Sequence, residues 1–297
     1  MTKPNKKAQY TVEELQSLVK KVCYEKQISK YHFHFGPKKY TQHQFVALLI
    51  LFARSGKSFQ GFIDSLYESK WPVWLSLKDI PSKSSLHNHF QRIGLKIVRK
   101  LNRIVTKHTK TIEHAIDSTG LDIRHSSKHY EKRIHRTCKP WQKLSILAQN
   151  HEPYLIEDFV SEQSHTHDVN HARVLIKRNK TRKVFADKGY DSEELRQICY
   201  EKGSILYCPT RKWSAAYKMR GKHRKKMKKL FEKKVYNKGR NPVELIMFLL
   251  KHNGLIIRTR KRRNQIKEIA WKILAYNVQR LAKTLERWIQ IISLDIA

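Results

Sequence analysis

Between residues 111 and 208 the sequence carries three strand-length apolar runs in succession, then a helix, a strand, a helix and a strand. That order most restricts the fold. Ile112, Ala115 and Ile116 form a short strand ending in Asp117-Ser118-Thr119-Gly120. Trp141–Gln149 is the second strand, His151-Glu152-Pro153 the turn after it, and Tyr154–Val160 the third strand. A helix follows from His167-Asp168 through Val169, Ala172, Leu175 and Ile176. Lys183–Ala186 is the fourth strand, a helix runs from Ser192 to about Lys202, and Gly203–Cys208, closed by Pro209, is the fifth strand. A plain βαβ repeat does not open with three consecutive strands, so the pattern predicts an α/β fold with a mixed five-stranded sheet, hairpin-led with parallel additions and flanked by helices.

Ahead of this region the chain reads as helical. A first helix is expected from Val12 to Cys23, and the alternating Tyr31-His32-Phe33-His34-Phe35 reads as a short extended segment. Thr41 opens a helix carrying Phe45, Leu48, Leu49 and Phe52, stopped by Ser55-Gly56. A second helix carries Phe59, Phe62, Ile63 and Leu66, and a third is expected to run unbroken through Leu86, Phe90, Ile93, Ile97 and Leu101. Amphipathic helices with short connections predict an all-helical domain over residues 1–108, with an order like that of a helix-turn-helix DNA-binding unit. The rest, 109–297, is expected to form one catalytic domain with a basic insert at about 210–238. Near the C-terminus, Ile266, Ile269, Ile273, Leu274, Val278 and Leu281 mark a long amphipathic helix, expected to cover the sheet or join two protomers.

The chain has 62 Lys and Arg against 25 Asp and Glu, a formal net charge of +37. Such a surplus implies a polyanionic partner, nucleic acid first and an anionic membrane surface second. From Lys218 to Lys234 most positions are Lys or Arg, next to Arg211, Lys212 and Trp213, a composition suited to neutralising phosphates. No apolar run approaches the roughly 20 residues that span a bilayer. The basic start lacks the apolar core of a signal peptide, and Cys23, Cys138, Cys199 and Cys208 are scattered without zinc-ligand spacing. The expectation is a cytoplasmic, nucleoid-associated protein without membrane or small-molecule substrate. His125, His129, His165, His167 and His171 match no zinc pattern and read as surface or DNA-contacting residues.

Three carboxylates stand out by position. Asp117 ends the first strand and Asp187 the fourth, where α/β folds gather their chemistry. Asp187 has no evident local task, whereas Asp191, with Glu194 three residues on, reads as a helix cap. Glu244 lies in the first turn of an apolar helix opened by Asn241-Pro242, and is expected to be either the acidic member of a capping box or a functional carboxylate between Arg240 and Lys251. Leu245-Ile246-Met247-Phe248-Leu249-Leu250 is apolar all round, which predicts a buried helix. If the first and fourth strands are neighbours, Asp117 and Asp187 lie side by side and Glu244 can close over them. Three crowded carboxylates call for hard divalent cations, Mg²⁺ or Mn²⁺, in a pair suited to phosphodiester chemistry.

Ile116-Asp117-Ser118-Thr119-Gly120, then Ala186-Asp187-Lys188-Gly189-Tyr190-Asp191-Ser192, then Tyr236, Arg240, Glu244 and Lys251 resemble the DDE transposases of prokaryotic insertion sequences. The last set is similar to the Tyr-Arg-Glu-Lys signature of one branch, and Trp141-Gln142-Lys143-Leu144 and His167-Asp168 fall where the family has similar residues. The resemblance covers about 110–285. It implies an RNase H-like catalytic core, with Asp117, Asp187 and Glu244 as catalytic metal ligands. It also implies DNA strand cleavage followed by strand transfer, and a homodimer on DNA. Tyr236, Arg240 and Lys251 would contact DNA near the cut, with Lys188, Arg211, Lys212 and Trp213 as further candidate contacts. The competing expectations are an RNase H-like nuclease or resolvase without strand transfer, and a transposase-derived DNA-binding protein.

Overall fold

The computed structural model describes residues 29–31, 38–107, 112–123, 133, 141–163, 166–211, 220–252 and 255–295. Expectations for the helix at 12–23, most of the aromatic segment at 31–35, His125, His129, His165, Lys212 and Trp213 lie outside these residues. The chain divides into two compact units. One is formed by 109–252 and 256–258, the other by 1–108, 253–255 and 259–297.

In the first unit the five strands are β1 (Glu113–Asp122), β2 (Trp141–Gln149), β3 (Ile156–Glu162), β4 (Lys183–Phe185) and β5 (Ile205–Tyr207). Their order across the sheet is β3-β2-β1-β4-β5. The β1–β2 and β2–β3 pairs are antiparallel, and β4 adds to β1, and β5 to β4, in parallel. β1 was expected to stop at Asp117; instead the β2 ladder keeps Ser118-Thr119-Gly120 extended as far as the Asp122–Trp141 pair.

α1 to α5 belong to the second unit and are given below. In the sheet unit, α6 (Asp168–Arg178) and α7 (Glu193–Glu201) cover one face, where Ile116, Leu147, Leu175, Val184, Ala186 and Leu195 form a buried cluster. α8 (Lys222–Leu230) packs on α7, and α9 (Lys233–His252) packs against β1 and β4.

The start of α9 differs from the sequence expectation. Asn241-Pro242 reads as a helix opening, yet the helix begins two turns earlier and runs through Pro242. Proline removes its N–H bond to the residue four back and crowds that residue's carbonyl; here the residue is Lys238, which is solvent-exposed, so the carbonyl can turn to water. Gly239 permits the close approach: a Cβ there would lie 2.3 Å from a Phe185 ring carbon. The helix is not buried all round. Gly239, Val243, Ile246, Met247 and Leu250 face inward, whereas Leu245 and Phe248 are 44% and 62% exposed, because a single stripe meets the sheet.

Asp191 is a second correction. Ser192, not Asp191, caps α7 by accepting from the Leu195 amide. The fully buried Asp191 carboxylate instead takes Arg196 at 3.0 Å and Arg224 at 2.7 Å, and accepts from the Arg211 amide at 2.8 Å. Arg196 also donates to the Leu206 and Cys208 carbonyls. Burial alone would raise the Asp191 carboxyl; the hydrogen bonds from Arg224, the Arg211 amide and Arg196 outweigh it and hold it below the ordinary 3.8. The unfolded chain therefore binds this proton more readily, so the stabilisation is fully present above 3.8 and lost as the pH falls from there towards the native value. Denaturant midpoints should decline through that window, and Asp191→Asn should lower the midpoint at pH 6 while flattening the decline. An unchanged acid dependence in Asp191→Asn would contradict the assignment. Cys199 and Cys208 are buried beside this cluster, and burial pushes both thiols up to about 12, which leaves them inert core residues.

The second unit holds α1 (Gln42–Ser55), α2 (Phe59–Tyr67), α3 (Trp71–Trp74), α4 (Lys83–Arg92), α5 (Leu95–Lys107) and α10 (Arg262–Asp295). Thr41 and Gln44 close a capping box on α1, and Gly56 ends it in the left-handed region at φ 62°. The expected third helix is two helices, because Ile93 turns extended ahead of Gly94. α10 packs on α1 and α5. Asn277 donates to Asn102 at 2.7 Å, and Lys267 donates to the Phe90 and Gln91 carbonyls at the end of α4. Among the described residues no single helix is long and apolar enough to cross a membrane. α1 and α2 reach that length and hydropathy together, but are bent by 107° and lend their apolar residues to the core.

Candidate active site

The ladder between β1 and β4 pairs Ala115 with Phe185. Asp117 and Asp187 each lie two residues further on. Side chains alternate along a strand, so both project to the face of Ala115 and Phe185, the face that α9 covers. On α9, Tyr236, Arg240 and Glu244 stand at i, i+4 and i+8, and Lys251 two turns further on the same side. The Gly239–Phe185 contact brings this stripe to the ends of β1 and β4.

Each carboxylate is held differently. Asp117, with 22% of its side chain exposed, accepts from the Ser118 amide at 2.8 Å. Asp187 accepts from the Gly189 amide at 2.7 Å and caps the single 3-10 turn Lys188–Tyr190, so it does have a local task. A Cβ on Gly189 would sit 2.7 Å from Asp187 Oδ1, which explains the glycine. Glu244, 54% exposed, is paired with Arg240 one turn earlier, and the same guanidinium lies 4.0 Å from Asp117. Glu244 is therefore turned to the arginine rather than to the aspartates, and among the described residues no three carboxylate, histidine or cysteine side chains are drawn closely enough together to hold a metal ion. The four groups still sense one another. Burial raises the Asp117 carboxyl above 3.8; the Ser118 amide and Arg240 oppose that, and the charges of Asp187 and Glu244 add to it. Three carboxylates and one guanidinium leave two negative charges on an all-oxygen donor set, which fits a hard divalent cation in charge and chemistry.

The remaining predicted contacts divide. Tyr236 is half-buried, its ring tilted at 47° against Phe231, with its hydroxyl pushed up chiefly by burial. Lys188 and Lys251 are exposed. Arg211 is committed locally: Nε and a terminal nitrogen donate to the Lys188 and Gly189 carbonyls, each at 2.6 Å, stapling the turn after Asp187.

Positional reading of the carboxylates did not find the network behind Asp117. The Ser118 hydroxyl donates to Asp168 Oδ1 at 2.6 Å, and Lys143 Nζ meets the same oxygen at 2.6 Å. Burial would raise Asp168, but the bonds from Lys143 and Ser118 prevail and hold it low. Next to this pair, the buried His171 bridges the Ser145 hydroxyl at 2.8 Å and Glu162 at 2.6 Å, which makes it a core histidine rather than a surface one. The signal was the Trp-Gln-Lys-Leu and His-Asp segments: their charged members, 25 residues apart, become one ion pair.

A family model described as the transposase DDE domain matches residues 109–278, more than half of the chain. Searches of curated proteins and of solved structures returned no match.

Proposed function

The chain belongs to the DDE transposase family, and from that premise we propose that it cuts DNA at the ends of an insertion sequence and joins them to target DNA. The observation that carries this reading is the place of Asp117 and Asp187, each two residues beyond the Ala115–Phe185 pair, beside the helix that bears Glu244. Asp117, Asp187 and Glu244 would hold Mg²⁺ or Mn²⁺, two ions by the chemistry. Ions held by these three carboxylates would supply Lewis-acid chemistry, suited to activating a water or 3′-hydroxyl and to stabilising the departing oxygen of a phosphodiester. The chain's own residues prepare that site. The Ser118 amide fixes Asp117, the Gly189 amide fixes Asp187, and Arg240 holds Glu244 at the rim. Tyr236 and Lys251, on the same stripe of α9, contact the DNA beside the cut, and the helices of residues 1–108 recognise the ends. The Tyr236, Arg240, Glu244 and Lys251 spacing supports a reading as a member of the Tyr-Arg-Glu-Lys branch. Two ends must be held together for joining, so the working form is a homodimer on DNA, acting on the chromosome.

The test is incubation of the protein with labelled ends of its flanking element, a target duplex and Mn²⁺, with products mapped at nucleotide resolution. Joined end-to-target products are expected. Cut ends that are never joined would reduce the protein to a nuclease, and intact DNA under all metal conditions would refute the reading.

The Lys143–Asp168–Ser118 network gives a further expectation. Asp168→Ala frees the hydroxyl of Ser118, whose amide holds Asp117, and takes from Lys143 its carboxylate partner, so Mn²⁺ affinity and cleavage should each fall about 10- to 100-fold. Calorimetric titration of Mn²⁺ reads the first independently of cleavage, and an unchanged Mn²⁺ isotherm would detach the network from the site.

A further inference from the structure

α8 reads Lys222-His223-Arg224-Lys225-Lys226-Met227-Lys228-Lys229-Leu230. Alone, such a segment would not be helical. It is shorter than the roughly 12–15 residues an isolated helix needs. Its like charges repel at i, i+3 and i, i+4, and its cationic first turn opposes the helix dipole. Its own cap, Gly221, supplies no side chain.

Two carboxylates from the preceding turn and helix hold it instead. Glu193 of α7 accepts from the His223 and Arg224 amides at 2.9 and 3.0 Å, capping α8 from another element. Asp191 takes the Arg224 guanidinium through Nε at 3.0 Å and a terminal nitrogen at 2.7 Å. Gly221 makes room, since a Cβ there would lie 2.2 Å from Glu193 Oε2 and its φ is +99°. Arg224 and Met227 are thus the buried side of α8. Lys222, Lys225, Lys226 and Lys229, at i, i+3, i+4 and i+7, form the exposed side.

We propose that this lysine stripe is a docked rail for the phosphate backbone of duplex DNA, fixed relative to Asp187 by the Asp191 and Glu193 anchors. The stripe spans about 10 Å along the helix, the length of about three phosphates on one strand at roughly 3.4 Å each. A membrane surface fits less well: an interfacial helix buries its apolar side in lipid, and here Met227 is buried in the protein. The proposal rests on DNA being the substrate and extends that reading to a surface away from the carboxylates.

The test is equilibrium binding of the full chain to a 30-base-pair duplex in EDTA over 50–300 mM salt. Lys222→Gln/Lys225→Gln/Lys226→Gln/Lys229→Gln should make the slope of log affinity against log salt shallower by about 3 to 4. A folded variant whose slope changes by less than one overturns the proposal, as does a lysine-dependent affinity for anionic vesicles or acidic peptides with an unmoved DNA slope. Glu193→Ala tests the anchoring. It removes a negative charge, which by itself favours DNA, yet undocking α8 should weaken binding several-fold; tighter binding overturns that half. Since no metal is present, a slope effect without cleavage would defeat only the catalytic reading, and cleavage with an unmoved slope would defeat only this one.

Discussion

Asp187→Ala is expected to abolish metal-dependent cleavage, by on the order of 10³-fold or more, because it would remove one of the proposed ligands to the ions that would activate nucleophile and leaving group. DNA binding measured without metal should stay within about twofold of the parent, since the change touches one carboxylate among 62 basic residues. Asp187 also caps the Lys188–Tyr190 turn, so the alanine variant removes two things at once. Asp187→Asn separates them. Its amide oxygen can still accept from the Gly189 amide, which the carboxylate does at 2.7 Å, while the charge that attracts a divalent ion is gone. The expected result is a turn that stays formed and cleavage that stays lost. Full cleavage with Mg²⁺ by the asparagine protein would remove Asp187 from the metal site.

Gly239→Ala carries the second large effect, and its sign is informative. In an ordinary helix interior, alanine for glycine stabilises by about 1 kcal/mol. Here the new methyl would meet three Phe185 ring carbons at 2.3, 2.4 and 2.4 Å. The helix and the strand must separate, at a cost of about 1–3 kcal/mol. Arg240 and Glu244 move with the helix, so cleavage should fall along with the denaturant midpoint. Phe185→Leu in the same chain should return part of the loss, a coupling that a double-mutant cycle reads directly. A midpoint equal to or above that of the parent would show that α9 does not press on β4 at this point.

The sheet was legible because its order is written in local pattern: three runs without an intervening helix force a hairpin start, and the neighbouring β1 and β4 follow the expectation that set Asp117 beside Asp187. Asp191 was not legible, since a carboxylate ahead of Ser192 and three before Glu194 satisfies the local rule for a cap. Only the fold reveals that Arg224, 33 residues later, has claimed it. The onset of α9 was hidden for a related reason. Asn241-Pro242 is a good helix start in isolation, and what carries the helix across it is Gly239 against Phe185, 54 residues away in the chain. The role of Arg240 as counter-ion to both Asp117 and Glu244 likewise needed the register of strand and helix together.

The packing of α10 on α1 and α5 bears on how the molecule is made. Ribosomes deliver residues 42–107 early and 262–295 late, with the whole sheet emerging in between. The early helices must wait, their apolar sides uncovered, until the last helix arrives, while the sheet can close as soon as Tyr207 and α9 are out. A message broken within the segment ahead of Arg262 therefore yields a product whose carboxylates can assemble but whose helices α1 and α5 lack their cover and stay sticky, a ready substrate for proteases and chaperones.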